Sequence, residues 1–566
     1  MLGRASLPFT IRPLPAGIVA PRFTNVGPAL AVAPPHPAGG DCINRMGTGA
    51  GWADYNGDGW LDLFVSDYVG GSHLYRNDLG TKGASGFTEV TASAFAGSLT
   101  HGQLVMKGAA GVTWADYSGD GRPDLLVSAV GHPYLFRNEG NGTFTHVTEA
   151  SGLAGYTYRG ESAAWADFNA DGLLDLYLVY YAQDCFAFPI PLTLTAPDHL
   201  LMQTPSHNFV DVTGLLGGSS SPAVNGLGFQ AAWLDYNNDR RPDLFVVNDF
   251  GPEVYPNVLW RNDGGTFTNV AHAARLDYAM SSMGIAVGDY NRDGNFDVAV
   301  SNIHDNAIAK GSPSGAFTYA SREEGLARGW VMTKGEMRLS ITWGLGFFDL
   351  DNDAYEDLFV VGGSLRSSEQ VPNAVFLSNI GHHLTGLPGD GNFLDLTHIA
   401  GTEVSWGRTA AFADFDADGF VDVYLVPWYG QAFQLYRNEG TTDGNVNNWL
   451  DVRLVGADPG ALGSLAHGSN RDGIGTRLTL TSASGTQYRQ IMSGSSLGAG
   501  DQPAAHFGVG LDVKVKSLKI DWPSGYTQTY TDLTANQRLV VTEGAARIGT
   551  DPSRGRSLSL CDGPPH

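Results

Sequence analysis

A nine-residue pattern written seven times constrains this chain more than any other feature. It first appears as Asp54-Tyr-Asn56-Gly-Asp58-Gly-Trp-Leu-Asp62, with oxygen-bearing side chains at positions 1, 3, 5 and 9 and glycine at position 6. A tight turn uses Asn and Gly because it needs positive φ, but it does not need four carboxyl or carboxamide groups at once. Such a set encloses a hard divalent cation, and calcium, which accepts six to eight oxygens in flexible geometry, suits it better than octahedral magnesium. Without an ion the crowded carboxylates repel one another. For one isolated copy, a solvated Asx turn would explain the residues equally well.

The copy is not isolated. The pattern returns as Asp116, Ser118, Asp120, Asp124, then as Asp167, Asn169, Asp171, Asp175, and as Asp235, Asn237, Asp239, Asp243. Three more follow: Asp289, Asn291, Asp293, Asp297; Asp349, Asp351, Asp353, Asp357; and Asp414, Asp416, Asp418, Asp422. A spacing of 51 to 68 residues makes this a repeat architecture.

Each loop has the same surroundings. A bulky residue stands two positions ahead (Trp52, Trp114, Trp165, Trp233, Val287, Phe347, Phe412), and an apolar run such as DLFVS or DVYLV follows, as expected of a strand buried on both faces. A third strand ends in LYRN, LFRN or LWRN in several units, and a fourth starts at an aromatic, as in FTEV from Phe87 and FTNV from Phe267. Four antiparallel strands in seven units predict an all-β fold, a seven-bladed β-propeller with calcium-binding hairpin loops. An extra fourth-strand signature, Phe23-Thr-Asn-Val26, precedes the first loop and none follows the last LYRN, so the N-terminal strand is expected to complete the last blade.

These repeats resemble the FG-GAP or VCBS type of the integrin α-chain propeller. The resemblance implies calcium at up to seven loops, held by positions 1, 3, 5 and 9 and by the backbone carbonyl at position 7 (Trp60, Arg122, Leu173, Arg241, Asn295, Tyr355, Phe420). Arg240 and Ala354 replace the glycine at position 6, which predicts strain in those two loops, and Ser118 makes the second a weaker donor set.

Beyond Asn448 the pattern changes to short alternating strands between Gly- and Ser-rich turns, predicting a small C-terminal β-sandwich. The succession GIGTRL, a GSS turn, AHFGVG and IDWPSG resembles the ASPIC/UnbV domain of the cartilage acidic protein-like family. The expected division is an extension over 1–20, a propeller over 21–446, the sandwich over 447–544 and a tail over 545–566.

The charge fits a metal-loaded module. The formal net charge is −24, and the loops hold 23 of the 58 acidic residues, so seven Ca2+ would leave about −10 and nucleic acid is excluded as a partner. No stretch is apolar enough to span a membrane. The N-terminal MLGRASLPFTIRPLPAGIVAP has an arginine in its apolar run and several prolines, unlike a signal peptide, yet calcium scarcity in cytosol points to a secreted or extracytoplasmic site. Cys42, Cys185 and Cys561 allow at most one disulfide.

No CxxC, HExxH, GxSxG or Walker motif is present. Paired His382 and His383 read as a surface turn, and His506 as a residue of the sandwich fold. The blade-to-blade connections carry Lys107, Arg159, Glu161, Gln230, Met280, Met283, Lys334, Glu336, Arg338, Trp343, Trp406 and Arg408, which are expected to face a funnel and hold a ligand; a water-filled polar channel mouth is the plainer reading. A long insertion, Tyr180 to His199, reads as a lid or interface loop. Two functions stay open: a calcium-rigidified module binding a protein or glycan, or an enzyme, of secondary metabolism for instance, acting on a small molecule in the funnel or in the cleft between propeller and sandwich.

Overall fold

The computed structural model describes residues 21–32, 49–67, 71–80, 86–99, 102–182, 195–218, 220–321, 326, 330–333, 336–363, 373–378, 393–396, 407–427, 431–441, 447–457 and 468–550. Strands dominate these residues, and the remaining regular elements are helical turns of three or four residues.

Seven sheets share one plan. The first runs through Ala50–Ala53, Asp62–Val65, His73–Asn77 and Phe87–Glu89, each strand antiparallel to the one before. The acidic loop is always the turn between the first and second strands. The second strand, such as Asp62–Val65 or Asp124–Val127, is buried at every residue, as its unbroken apolar run requires. In the sheet around Asp422–Pro427 the outermost strand is Pro21–Asn25, paired antiparallel with Gln434–Thr441, as the stray Phe23 signature predicts.

The first strands of successive sheets pack side by side, and that of the last, Gly407–Ala413, returns to Ala50–Ala53. The bulky residues ahead of the loops fill these junctions: the Trp52 indole N–H donates to Ala411 O, and that of Trp233 to Ala164 O. The observed architecture is all-β, with four-stranded sheets of the kind that make a β-propeller.

Residues 447–550 add two further sheets. One orders Ala504–Gly510, Asn448–Val455, Gln537–Thr542 and Gly549–Thr550; the other orders Thr486–Gln490, Arg477–Thr481, Lys514–Asp521 and Thr527–Thr534. Leu450, Val452, Leu454, Leu478, Leu480, Leu518 and Ile520 meet between them, so alternate residues of each strand build the core.

Candidate functional site

All seven loops are set by the same hydrogen bonds. Oδ1 of the first aspartate accepts the amide of position 5, and Oδ2 that of position 6, at 2.6 to 3.0 Å throughout. At position 9, Oδ1 accepts an amide from the third strand, or at Asp297 from Gly311 just beyond it, at 2.7 to 2.9 Å. The other oxygen turns into the loop, and in Asp243 and Asp297 it is buried with no hydrogen-bond donor. In three loops carboxylate oxygens gather within 4.8 Å of one another, close enough to share a metal ion: Asp235, Asp239 and Asp243; Asp349, Asp351 and Asp353; Asp414, Asp416 and Asp422.

These groups are hard to ionise together. Burial pushes Asp124 and Asp243 up to about 8, with neighbouring carboxylates adding to it, and burial followed by the charge of Asp472 pushes Asp116 up to about 7. A divalent cation removes both penalties, and an all-oxygen donor set with unmatched buried carboxylate oxygens fits calcium.

The glycine pattern is subtler than position 6 alone. That position has positive φ in every loop, including Arg240 (68°) and Ala354 (83°), so both loops keep the turn at the cost of backbone strain. Position 4 is also left-handed in all seven, at Gly57, Gly119, Ala170, Asn238, Arg292, Asn352 and Ala417, and only Gly and Asn there signal it in sequence. Ser118 Oγ donates to Asp116 Oδ1 at 3.4 Å, a long contact in keeping with a weaker donor.

The asparagine of the LYRN signature, unassigned from sequence, ties neighbouring sheets together. The side-chain amide of Asn138 donates to Tyr55 O at 2.8 Å, that of Asn262 to Phe168 O, that of Asn438 to Leu350 O and that of Asn77 to Phe415 O, each reaching position 2 of the preceding loop. Gln203 does the same to Tyr117 O.

The C-terminal unit sits on the loop face. Asp472, Gln490 and Gln502 accept the position-1 amides of Asp116, Asp235 and Asp414. Arg538 lies 2.9 Å from Asp414 Oδ2, and the exposed Arg240 reaches Asp521 at 3.3 Å. Arg292 donates to Ser484 O and Thr486 O, and Arg489 pairs with the buried Glu356 at 3.2 Å. His506 lies on the Ala504–Gly510 strand of the C-terminal unit, as its reading as a residue of that fold expects, and it also reaches the interface: its Nε2 is 2.7 Å from Asn352 Oδ1.

A segment of the same unit enters the channel. Ser496 and Ile285 exchange backbone hydrogen bonds, Val112 N–H donates to Gly498 O, and Ala499 and Gly500 run parallel to Ala50 and Gly51. Close approach needs bare backbone: a Cβ on Gly284 would fall 2.7 Å from Ser496 O. The water-filled channel of the sequence reading is therefore filled by residues 493–502.

The predicted funnel residues separate accordingly. The Gln230 side chain accepts from Gly498 N–H, while Met283 and Trp343 pack with Leu497, Tyr181 and Phe229. Arg159 and Arg408 lie 2.5 and 2.8 Å from the two oxygens of buried Glu161, and Arg408 stacks over Trp343. These six are thus packed inward and not displayed on an open funnel: Leu497 and Gly498 of the inserted segment lie against Gln230, Met283 and Trp343, and Arg159 and Arg408 are buried on Glu161, Tyr181, Phe229 and Trp343 beside them. Lys107 is exposed and Met280 half-buried. Glu336 and Arg338 share a short strand pair with Trp330–Thr333, whereas Lys334, Trp406, His382, His383 and the three cysteines lie outside the described residues, as does most of the Tyr180–His199 insertion.

Two family models agree with this architecture. The model for FG-GAP-like repeats matches residues 54–127, 116–178 and 235–300, and the model named ASPIC and UnbV matches 466–548. The chain carries FG-GAP-like repeats and an ASPIC and UnbV domain. It is homologous to cartilage acidic protein 1: 26% identical to the human protein over 512 residues, covering 85% of this chain and 69% of that protein. The mouse protein is 26% identical over 442 residues, 74% of this chain, and the chain spans only 62% of its length. Among solved structures, BBS1N in complex with ARL6DN aligns over 71% of this chain and 96% of that one, at 10% identity and a TM-score of 0.39. No described helix is long and apolar enough to cross a membrane.

Proposed function

We propose that residues 21–446 form one closed seven-bladed β-propeller whose loops each hold Ca2+, and that with the ASPIC and UnbV domain (447–544) docked on the loop face it works as an extracytoplasmic binding module for a protein or glycan. The observation that carries this reading is the position-9 aspartate, with one oxygen spent on an amide of the third strand or just beyond it and the other left without a donor at Asp243 and Asp297. Positions 1, 3, 5 and 9 of each loop would hold the ion. Bound calcium would supply rigidity, fixing the hairpins on which the C-terminal domain rests.

Packing of the first strands around a ring that returns to its start supports closure. With the loop face covered and the channel filled, the surface left for a partner is the opposite end, where Lys107 and Val105 stand exposed. The test combines a metal count with a binding screen of the full chain on glycan and secreted-protein arrays, with and without chelator. About seven calcium ions per chain and a partner lost in Lys107→Ala with Val105→Asp support the reading. A calcium-free native protein, or a partner indifferent to that double variant, overturns it.

A further inference from the structure

The C-terminal domain does not meet the loop face evenly. Over the second, fourth, fifth, sixth and seventh loops it makes direct hydrogen bonds, but over the first, at Asp54, the described residues leave a cavity of about 270 Å3. Its walls come from two sheets of the ring and from the docked domain: Trp114 and Asp54 on one side, Met492, Arg453, Arg471 and Asp472 on the other.

Arg453 stands out among them. On Asn448–Val455 the even positions Leu450, Val452 and Leu454 enter the sandwich core, so Asp451 and Arg453 turn toward the ring. Asp451 meets Arg538. Arg453 is half-buried and feels the carboxylates of Asp54 and Asp472 through space, yet among the described residues it makes neither a hydrogen bond nor an ion pair with them. Asp472 is already engaged, accepting the Asp116 amide at 2.6 Å.

We propose that this cavity binds a small carboxylate, no larger than a monosaccharide acid, whose carboxyl group pairs with the Arg453 guanidinium while its body lies against Trp114 and Met492. A planar guanidinium with five donors matches a carboxylate in a two-point fork. The volume suits a ligand of that size. The charge balance rests on the calcium reading: ions in the first two loops would neutralise Asp54 and Asp116 and leave Arg453, Arg471 and Arg538 facing Asp451, Asp472 and Asp501, with Arg453 in no ion pair among the described residues.

Calorimetric titration of the calcium-loaded full chain with galacturonate, N-acetylglycine and uncharged galactose tests this. One or both carboxylates should bind at a single site, which tells a sugar acid from an amino-acid-like ligand, and galactose should not bind. Arg453→Gln should weaken binding about ten-fold or more, the usual cost of a lost charge-assisted pair, with melting and calcium content unchanged. Arg453→Lys, which keeps the charge and loses the fork, should fall between. Absence of carboxylate binding by a calcium-loaded protein overturns the site and leaves the calcium reading standing. Equal binding by wild type and Arg453→Gln, with or without calcium, overturns it as well. A protein that binds no calcium but binds carboxylate through Arg453 defeats the metal reading alone.

Discussion

The guanidinium of Arg538, on the last long strand of the ASPIC and UnbV domain, lies 2.9 Å from Oδ2 of Asp414, the first aspartate of the seventh loop. That oxygen also accepts the Gly419 amide and is fully buried, so a residue of the loop is simultaneously a residue of the interface. In the calcium-free protein, removing this guanidinium strands a buried carboxylate, which typically costs about 3 to 5 kcal/mol, and a bound ion would lessen that cost. Arg538→Ala should therefore lower Tm sharply and expose the inter-unit junction to limited proteolysis, whereas Arg437→Ala, at an exposed pair with Glu439, should change Tm little.

Chelation tests the metal itself. Each saturated site contributes about 2.7 kcal/mol at a free ion concentration a hundred times its Kd. EGTA should lower Tm steeply and restored calcium should return it; an unaltered melting curve, with no calcium by elemental analysis, would remove the ion from the account.

Two loops with a side chain at position 6 should respond differently to glycine. Ala354 is buried at φ 83°, so Ala354→Gly relieves strain of about 1 kcal/mol and should raise Tm. Arg240 carries similar strain but also reaches Asp521, so Arg240→Gly should be nearly neutral. Differential scanning calorimetry of the two variants side by side distinguishes them.

The inter-sheet asparagines should be worth more than their surroundings suggest. Asn138→Ala leaves the Tyr55 carbonyl without its side-chain donor and should cost about 1 to 3 kcal/mol, read by urea denaturation. Thr145→Ala on the exposed edge should cost far less.

Acid should loosen the docked domain. Burial, then the charges of Arg489 and Arg538, pushes His506 down to about 3, so the folded protein keeps it neutral while the unfolded chain takes up a proton below its ordinary value near 6.5. Nε2–H donates to Asn352 Oδ1, and Nδ1 has no partner to receive a second proton. A folded pKa below the unfolded one gives stability that is present above 6.5 and is lost as pH falls toward 3, at about 1.4 kcal/mol per unit for this group. His506→Gln should flatten that part of the pH–stability curve, measured by Tm between pH 7 and 4.

The acidic loops and their strands were legible because a period-two apolar run and a nine-residue oxygen pattern are local, and local chemistry repeats where a fold repeats. Asn138 was visible only as part of LFRN, since its partner Tyr55 lies 83 positions away. Glu161 and Arg408 were rightly grouped but wrongly exposed: strand ends near an axis do converge, yet nothing near them in sequence indicates that residues 493–502 will occupy that axis. The Gly–Ser composition of that segment reads as an ordinary turn. Its purpose is written in glycines elsewhere, at Gly111, Gly284 and Gly344, which clear its path.

That insertion also bears on the order of assembly. The sheets that meet at their first strands are synthesised first, but their shared interior is completed by a strand segment that leaves the ribosome 86 to 449 residues after the walls it touches. Until Leu497 arrives, Tyr181, Phe229, Met283 and Trp343 surround a gap instead of a side chain. The packing around Leu497 is thus completed only when this late-made sequence is delivered, and a nascent chain paused before residue 493 would present an apolar hollow that a chaperone, or another unfinished chain, is able to enter.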